Sequence, residues 1–315
     1  MCGATEFHTP VLGRETALRV VNDPNGVYID GTVGGGGHAE QMLRRMGRRG
    51  RLIGIDRDPE AVQAAAIRLR GFSHRIEIVE SPFRILPEIL EKLDLGRISG
   101  ALFDLGVSSH QIDEASRGFS YLRNGPLDMR MGPDALRSAK EVVNTYSLEK
   151  LTSVFREFGE ERAAGRIARA ICRRRVREPM KDTFQLAALI SEITPGSQTT
   201  KTLARIFQAI RIEVNGELDQ LQETFEYTIG KLTTGGRIGV LSYHSLEDRT
   251  VKKVFRTASQ GCVCPPDLPV CGCGRDPQVR VLTPGGIRPE TAERERNPRS
   301  RSATLRVAER IEERA

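Results

Sequence analysis

The first 110 residues alternate between short apolar runs and longer amphipathic stretches. Apolar runs of strand length predict β-strands at Val27–Asp30, Leu52–Asp56, Ile76–Val79 and Ala101–Leu105. Apolar residues spaced three and four apart predict helices between them, at Glu15–Val21, Ala39–Met46, Pro59–Leu69 and Leu86–Leu93. This alternation predicts an α/β fold with a parallel sheet covered on both faces, which would bind ligands at the carboxyl ends of its strands.

The pattern changes at about residue 134, where amphipathic helical stretches replace the strands. The predicted helices are Leu148–Phe158, Glu161–Arg175, Phe184–Glu192 and Leu203–Arg211. The sheet pattern then resumes with a helix at Glu217–Leu232, a turn at Gly235-Gly236, a strand at Arg237–Tyr243, a helix at Leu246–Arg256 and late strands at Val279–Leu282 and Thr304–Ala308. We therefore predict one α/β domain, 1–133 and 213–315, interrupted by a helical substrate domain at 134–212.

Four consecutive glycines, Gly34, Gly35, Gly36 and Gly37, follow the first predicted strand, and His38 opens the next helix. Glycines at such a turn permit positive φ and let a ligand approach the backbone closely. Asp56 ends the second strand, twenty residues after Gly36, where a carboxylate can accept hydrogen bonds from ribose hydroxyls. The spacing predicts an adenosine cofactor and leaves open whether it is NAD or S-adenosylmethionine.

The chain is basic, with a net charge of +7 at pH 7 over 315 residues. Its arginines cluster at 44–51, 166–177 and in a basic C-terminal segment at 294–306. Arginine pairs with phosphate oxygens in a bidentate way, so the clusters favour a nucleic-acid partner. The candidate phosphate contacts are Arg166, Arg169, Arg173, Arg205 and Arg211.

No apolar run approaches the length needed to span a membrane, and the N-terminus lacks a secretion signal. We therefore expect a cytoplasmic protein without a membrane partner. The sequence leaves open whether the protein forms a homodimer.

A cysteine-rich loop at 261–274 contains Cys262, Cys264, Cys271 and Cys273. Four thiols within twelve residues are a candidate site for structural zinc, although paired cysteines separated by one residue are less usual than those separated by two. A disulfide is disfavoured in a reducing cytoplasm.

Several strings along the chain carry a resemblance to a known family. The most specific are the string from Ser242 to Arg249 and the Pro-Leu-Asp-Met-Arg string at 126–130. The others are His8–Leu12, Asp30–His38, Asp56–Pro59, Asp104–Ser109 with Gln111, Arg117–Ser120, Gly159–Arg162, Phe207–Ile212 with Val214-Asn215, and Asn297–Ser302. Together they resemble the bacterial 16S ribosomal RNA N4-methylcytidine methyltransferases over most of the chain.

The resemblance implies a class I, Rossmann-like methyltransferase sheet with an inserted all-helical substrate-recognition domain. It implies methyl transfer from S-adenosylmethionine to the exocyclic N4 of a decoding-centre cytidine, position 1402 of 16S rRNA, in the small ribosomal subunit or its late precursor. Matched residue by residue, the cofactor contacts fall on Gly36, Gly37, His38, Asp56, Phe83, Asp104 and Gln111.

The chemistry of cytosine N4 suggests which residues carry the reaction. Its lone pair is delocalised into the ring, so an enzyme must align N4 and accept hydrogen bonds from it. We hypothesise that Asp104 and the segment Ser242–Ser245 frame the cytosine, with His244 as either a proton acceptor or a structural hydrogen-bonding residue. The rival functions are an NAD-dependent oxidoreductase and a catalytically silent RNA-binding or ribosome-assembly factor on the same scaffold.

Overall fold

The computed structural model describes residues 10–261 and 276–312. They form two compact units. The sheet unit comprises the chain up to Gly106 and from Asp219 onward, and the helical unit comprises Val107–Leu218. The helical unit is wider than the predicted range 134–212, because the segment 107–133 folds with the helices that follow it. No helix in the described ranges is long and apolar enough to cross a membrane.

The secondary structure of both units follows the chain in a regular order. The strands are β1 Val27–Asp30, β2 Arg51–Asp56, β3 Ile76–Glu80, β4 Ile98–Asp104, β5 Leu232–Ser242, β6 Val279–Val281 and β7 Thr304–Arg310. The helices are α1 Gly13–Val20, α2 Gly37–Arg45, α3 Pro59–Arg68, α4 Leu86–Lys92, α5 Ser109–Asp113, α6 Ala139–Thr145, α7 Leu148–Glu157, α8 Ala164–Arg177, α9 Thr183–Ile193, α10 Thr199–Asn215, α11 Leu221–Lys231, α12 Ser245–Ser259 and α13 Thr291–Arg296.

The strands of the sheet unit form a sheet of seven, in the order β3-β2-β1-β4-β5-β7-β6, among the residues that the structure describes. The first five strands are parallel, and β7 runs antiparallel between β5 and β6. The strand order reverses between β1 and β4, and this reversal is the point at which such sheets bind ligands. The predicted Rossmann-like α/β fold is confirmed.

The central parallel strands β1, β2 and β4 are mostly buried on both faces, which explains their continuous apolar runs, whereas β3 at the edge of the sheet is only half-buried. In β4, every residue from Ile98 to Phe103 is buried, and Asp104 emerges at the carboxyl end. The helix after β2 begins sharply because Asp58 caps it, accepting a hydrogen bond from the Glu60 N–H at 3.1 Å, and Pro59 presets its first φ. The abrupt change from strand to helix leaves Asp56 at the edge of the sheet.

The Gly235-Gly236 pair corrects one prediction. We expected a turn before the fifth strand, but β5 runs through both glycines from Leu232 to Ser242. Ile98 pairs with Leu232 while Gly100 pairs with Arg237, so an irregularity absorbs the extra residues of β5. Gly235 adopts a φ of 79°, which the irregularity requires and which glycine permits without a steric cost.

The helical unit has its own apolar core, built from residues of α6 to α10 and the segment before them. Two of the sequence strings that carry the family resemblance, here called the diagnostic strings, meet in this core. Asn215 accepts a hydrogen bond from the Met131 N–H and donates to the Met129 carbonyl, both at 2.8 Å. A Cβ at Gly118 would lie 1.9 Å from the Pro126 carbonyl oxygen, so glycine is needed where these segments cross. In the helical unit, these strings therefore hold the fold together.

Candidate active site

The site is built where β1 and β4 lie side by side in the sheet. Their ends carry Asp30 and Asp104, and the glycine loop follows Asp30. The loop is tied to β4 through Thr32, whose hydroxyl oxygen accepts a hydrogen bond from the Asp104 N–H at 2.6 Å. The loop and the Asp104 carboxylate are therefore held in a fixed relation.

The glycine loop takes the conformation that its sequence predicts. Gly34 and Gly36 have φ of 50° and 79°, and Gly36 is the N-cap of α2. A Cβ built on Gly34 would meet only the Thr32 carbonyl oxygen, at 3.9 Å, so the loop is open on that side. Gly35 lies between them and Gly37 is the first residue of α2, so the loop delivers the backbone to the start of a helix.

Asp56 anchors the loop from the end of β2. Its two carboxylate oxygens accept hydrogen bonds from the backbone N–H groups of Gly34, at 2.8 Å, and of Asp58, at 3.0 Å. Burial raises the pKa of Asp56 to about 6, against these two hydrogen bonds, which lower it. Because each carboxylate oxygen can accept two hydrogen bonds, the residue retains acceptor capacity for a ribose diol, as the sequence predicts.

Asp104 is the centre of a buried polar group. Its Oδ1 accepts a hydrogen bond from the Tyr243 hydroxyl at 2.8 Å, and its Oδ2 lies 3.3 Å from Nε2 of His38. Burial opposes charging of His38, but the carboxylates of Asp104 and Asp30 outweigh it, and the pKa of His38 is raised. Burial also raises the pKa of Tyr243 well above its usual value, so the phenol stays protonated and donates to Asp104.

Asp30 is fully buried beneath this group. Burial raises the pKa of its carboxyl to about 7. Its Oδ1 accepts a hydrogen bond from the Thr32 N–H at 3.3 Å, whereas its Oδ2 has no hydrogen-bond partner among the described residues. Nδ1 of His38 likewise has no hydrogen-bond partner among the described residues, whereas its Nε2 faces Asp104 at 3.3 Å. Buried polar atoms left in this way are expected where a ligand or water completes a site.

Sequence reasoning missed Asp30, Thr32 and Tyr243 as parts of the site. Each lies inside a diagnostic string, so membership of a string was the available signal. Nothing in the spacing along the chain, however, indicates that a tyrosine 139 residues away bonds to Asp104.

Ser242 and His244 have structural partners in the sheet unit. Ser242 is buried and its hydroxyl donates to the Thr304 carbonyl at 3.4 Å. His244 caps α12: its Nδ1 accepts from the Glu247 N–H at 3.4 Å, and Glu247 Oε2 accepts from the His244 N–H at 3.3 Å. Of the two hypotheses for His244, this geometry favours the structural one, and substrate contact by either residue stays a prediction.

Phe83 and Gln111 were predicted as cofactor contacts, and each has a defined local setting. The Phe83 ring is half-buried and meets the edge of Phe103 at 5.8 Å between centroids. Gln111 belongs to the helical unit, where its Oε1 accepts from the Ser108 N–H at 3.0 Å in a capping box. Cofactor contact by either side chain stays a prediction.

The five candidate RNA-binding arginines differ in their exposure. Arg166, Arg169 and Arg173 are exposed along one face of α8, and Arg205 is exposed on α10. Arg211 instead forms a bidentate ion pair with Glu217, with both bonds at 2.9 Å and its side chain only 13% exposed. Arg205 lies 3.5 Å from Glu161, so it is exposed but has an acidic neighbour. The structure therefore separates Arg211, whose guanidinium is held in an ion pair, from Arg166, Arg169 and Arg173, which have no partner among the described residues.

The candidate zinc ligands Cys262, Cys264, Cys271 and Cys273 lie outside the described residues. Cys172 on α8 is a half-buried free thiol.

The residues at the sheet edge fit an adenosine cofactor. The open glycine loop at the start of α2, the Asp56 carboxylate, Oδ2 of Asp30 and Nδ1 of His38 together offer space, acceptors and donors at one point of the fold. The fold and this site define a Rossmann-like α/β protein with a nucleotide-type cofactor site.

Comparison with known proteins gives the family. The model of the MraW methylase family matches residues 5–311, so the chain belongs to this family. It is 47% identical to the ribosomal RNA small subunit methyltransferase H of Syntrophus aciditrophicus, over 98% of this chain and 99% of the relative. It is 45% identical to the protein of the same name from Halothermothrix orenii, over 96% and 98%.

Solved structures are more distant. An rRNA methylase from Streptococcus thermophilus matches with a TM-score of 0.40 at 10% identity, covering 95% of this chain and 94% of that chain. An S-adenosylmethionine-dependent O-methyltransferase from Thermotoga maritima matches with a TM-score of 0.41 at 11% identity, covering 99% and 70%.

The family assignment identifies the cofactor, which the spacing of the glycine loop and Asp56 left open between NAD and S-adenosylmethionine. The protein is a methyltransferase whose methyl donor is S-adenosylmethionine, and the predicted cofactor is confirmed. The NAD-dependent oxidoreductase is not supported.

Proposed function

We propose that the protein methylates the exocyclic N4 of a decoding-centre cytidine, position 1402, of 16S rRNA in the small ribosomal subunit or its late precursor. The observation that carries the proposal is the match over nearly the full length to relatives named ribosomal RNA small subunit methyltransferase H, at 47% and 45% identity. The choice of N4 and of this cytidine comes from the resemblance of the diagnostic strings.

In this proposal the ends of three strands hold the cofactor. Asp56 accepts hydrogen bonds from the ribose hydroxyls, and Gly34 to Gly37 provide a close backbone approach. Phe83 lies half-buried and provides an apolar contact for the adenine. When bound, S-adenosylmethionine supplies the methyl group.

Asp104 is the hydrogen-bond acceptor for the target amine. An amine that gains a methyl group must lose a proton, and charge develops on N4 as the new N–C bond forms. A carboxylate at the end of β4 accepts a hydrogen bond from the N4 amino group and stabilises that charge. The Tyr243 hydroxyl and His38 fix its position, at 2.8 Å and 3.3 Å from its two oxygens.

The exposed arginines of the helical unit bind the RNA backbone. Arg166, Arg169 and Arg173 present three guanidinium groups along α8. They make no hydrogen bond or ion pair with other described residues, so they can bind phosphate without first breaking a contact within the protein. Binding through such contacts weakens steeply with salt, because each neutralised phosphate releases counterions.

The test uses tritiated S-adenosylmethionine and small-subunit particles from a strain that lacks the enzyme. We expect label on one decoding-centre cytidine, located by nuclease mapping, and none on particles from the parent strain, in which that position is already methylated. Label at another nucleotide would contradict the proposed site. Cofactor binding without any label would favour the catalytically silent assembly factor.

A further inference from the structure

A cleft in the helical unit is not used by the site described above. It lies between the beginning of α8, the loop after α9 and the first half of α10, and its volume is about 780 Å³. Volumes of this order are typical of small-ligand sites. Its charged lining residues are Glu161, Arg162, Arg166 and Arg205, and Ile193 and Pro195 contribute an apolar wall.

Two of the three arginines at this cleft are available to a ligand. Arg162 and Arg166 are exposed and make no hydrogen bond or ion pair with the other described residues. By contrast, two arginines at the far end of α8 are engaged. Arg174 lies 3.1 Å from Glu178, and Arg175 donates to the carbonyls of Val143 and Tyr146. The cleft therefore concentrates uncompensated positive charge at one end of the helix.

Two helix N-termini reinforce this charge. Across residues 107–218, all of which the structure describes, α8 and α10 are the α-helices without a side-chain cap. Their N-caps, Ala163 and Gln198, both line the cleft. The helices α6, α7 and α9 are capped by Ser138, Ser147 and Asp182. The N–H groups of Ala163, Ala164 and Thr199 already donate to nearby residues, so what these N-termini add to the cleft is chiefly the positive end of each helix dipole, which favours phosphate.

Glu161 adds an acceptor to this positive cleft. Its side chain is 5% exposed, and its Oε1 accepts a hydrogen bond from the Ala163 N–H at 2.8 Å. Its Oε2 lies 3.5 Å from Nη1 of Arg205 and has no hydrogen-bond partner among the described residues. A phosphodiester group has no donor for this oxygen, whereas the ribose hydroxyl or base amino group of a nucleotide does.

We propose that this cleft binds one nucleotide of single-stranded RNA. Arg162, Arg166 and the N-termini of α8 and α10 hold its phosphate, and Arg205 together with Glu161 contacts its sugar or base. The apolar wall at Ile193 and Pro195 covers the base. The inference rests on the proposed function for the identity of the RNA and adds the place where one nucleotide is held.

The test measures the affinity of the full-length protein for a fluorescein-labelled single-stranded RNA hexamer by anisotropy over a range of salt concentrations. The test variant is Arg162→Ala with Arg166→Ala. The matched control is Arg156→Ala with Arg177→Ala, which removes the same charge from two exposed residues of the same unit that do not line the cleft. We expect the test pair to weaken binding at least about tenfold and to lower the salt slope by about 1.4, against about twofold for the control pair. Equal losses in the two pairs, or no loss in either, would overturn the proposal.

A second variant, Glu161→Gln, distinguishes a site for a nucleotide from a site for phosphate alone by the direction in which the affinity for RNA changes. Glu161→Gln removes a negative charge, so binding to a site for phosphate alone would tighten. We expect binding of the hexamer to weaken because the charged acceptor is lost, with the thermal unfolding midpoint confirming that the variant is folded. Tighter binding would overturn the role of Glu161. If the variant does not fold, the arginine pairs still decide the proposal.

Methyl transfer to small-subunit particles, measured on the same preparations, separates the two proposals. A wild-type protein that binds the hexamer through the cleft but labels no particle contradicts the proposed function and supports the cleft. A wild-type protein that labels the decoding-centre cytidine while the cleft variants bind the hexamer normally contradicts the cleft alone.

Discussion

The sheet edge and the arginine face of α8 use charge in opposite ways. At the sheet edge, Asp30 and His38 are buried and Asp104 is half-buried, and the two carboxylates favour the charged form of His38, which lies 3.3 Å from Asp104. On α8, Arg166 and Arg169 are exposed and have no protein partner among the described residues. Charges in a buried group are held in place by one another, which suits a reaction that depends on alignment. Unpaired exposed charges cost little to maintain and suit a large anionic partner that arrives from solvent.

The largest expected effect removes the centre of the buried group. Asp104→Ala should lower methyl transfer at least about 100-fold, because it deletes the acceptor for the target amine. The measurement is tritium incorporation into small-subunit particles at saturating cofactor. Glu88→Ala, which removes an exposed acid from α4, is the control and should retain full activity. Full transfer by the Asp104 variant would remove the reaction from this edge of the sheet.

A second substitution tests whether Arg211 belongs with the exposed arginines. Arg211→Ala leaves Glu217, which is only 10% exposed, without its ion-pair partner, so we expect a loss of about 3 kcal/mol in the free energy of unfolding. Arg169→Ala, at an exposed residue, should change stability by less than about 0.5 kcal/mol. Urea unfolding of both variants gives the comparison. Equal stability of the two would mean that the paired arginine is as dispensable to the fold as the unpaired one.

The buried acid Asp30 makes stability depend on pH. Burial raises its pKa from 3.8 to about 7, so the folded protein retains a proton that the unfolded chain has lost over this range. The free energy of unfolding should therefore fall as the pH rises through that window, and Asp56 adds a change of the same sign. In Asp30→Asn, we expect the loss between about pH 5 and about pH 7.5 to be smaller by about 2 kcal/mol. Urea unfolding at the two pH values without cofactor measures it, and an unchanged pH dependence would show that Asp30 does not titrate in this range.

The smallest expected effect concerns the positioning of Asp104. Tyr243→Phe removes one hydrogen bond to a carboxylate, so methyl transfer should fall about tenfold while cofactor affinity stays within about twofold. Calorimetric titration with S-adenosylmethionine and the tritium assay separate these two quantities. Tyr227→Phe removes a hydroxyl elsewhere in the sheet unit and serves as the control. A parallel loss of cofactor affinity would mean that Tyr243 supports the pocket as a whole.

Much of the fold follows from local sequence. The first strand was predicted as Val27–Asp30 and is observed there, and β2 to β4 differ from their predicted bounds by at most three residues. These strands are short apolar runs in a parallel sheet, for which the pattern is strongest. The Gly235-Gly236 pair was interpreted wrongly because glycines that permit positive φ serve both turns and strand irregularities.

The candidate site was predictable only in part. The glycine loop and Asp56 lie close together along the chain, and their spacing alone indicates a shared ligand. The bond from Tyr243 to Asp104, the capping role of His244 and the ion pair that engages Arg211 depend on packing between segments or on side-chain rotamers. The hydrophobic periodicity of the chain carries no information about packing between distant segments or about side-chain rotamers.

The sequence by itself determined the alternating α/β pattern, the glycine loop with its ribose acid, the excess of positive charge and, through the diagnostic strings, the family. Local propensities and the chemistry of adjacent residues decide these features, so they can be seen along the chain. The tertiary structure decided which charges are buried together and which remain unpaired, because burial and pairing depend on residues that are distant in sequence and become neighbours only on folding. It thereby distinguished Asp104 from the other acids and Arg166 from Arg211.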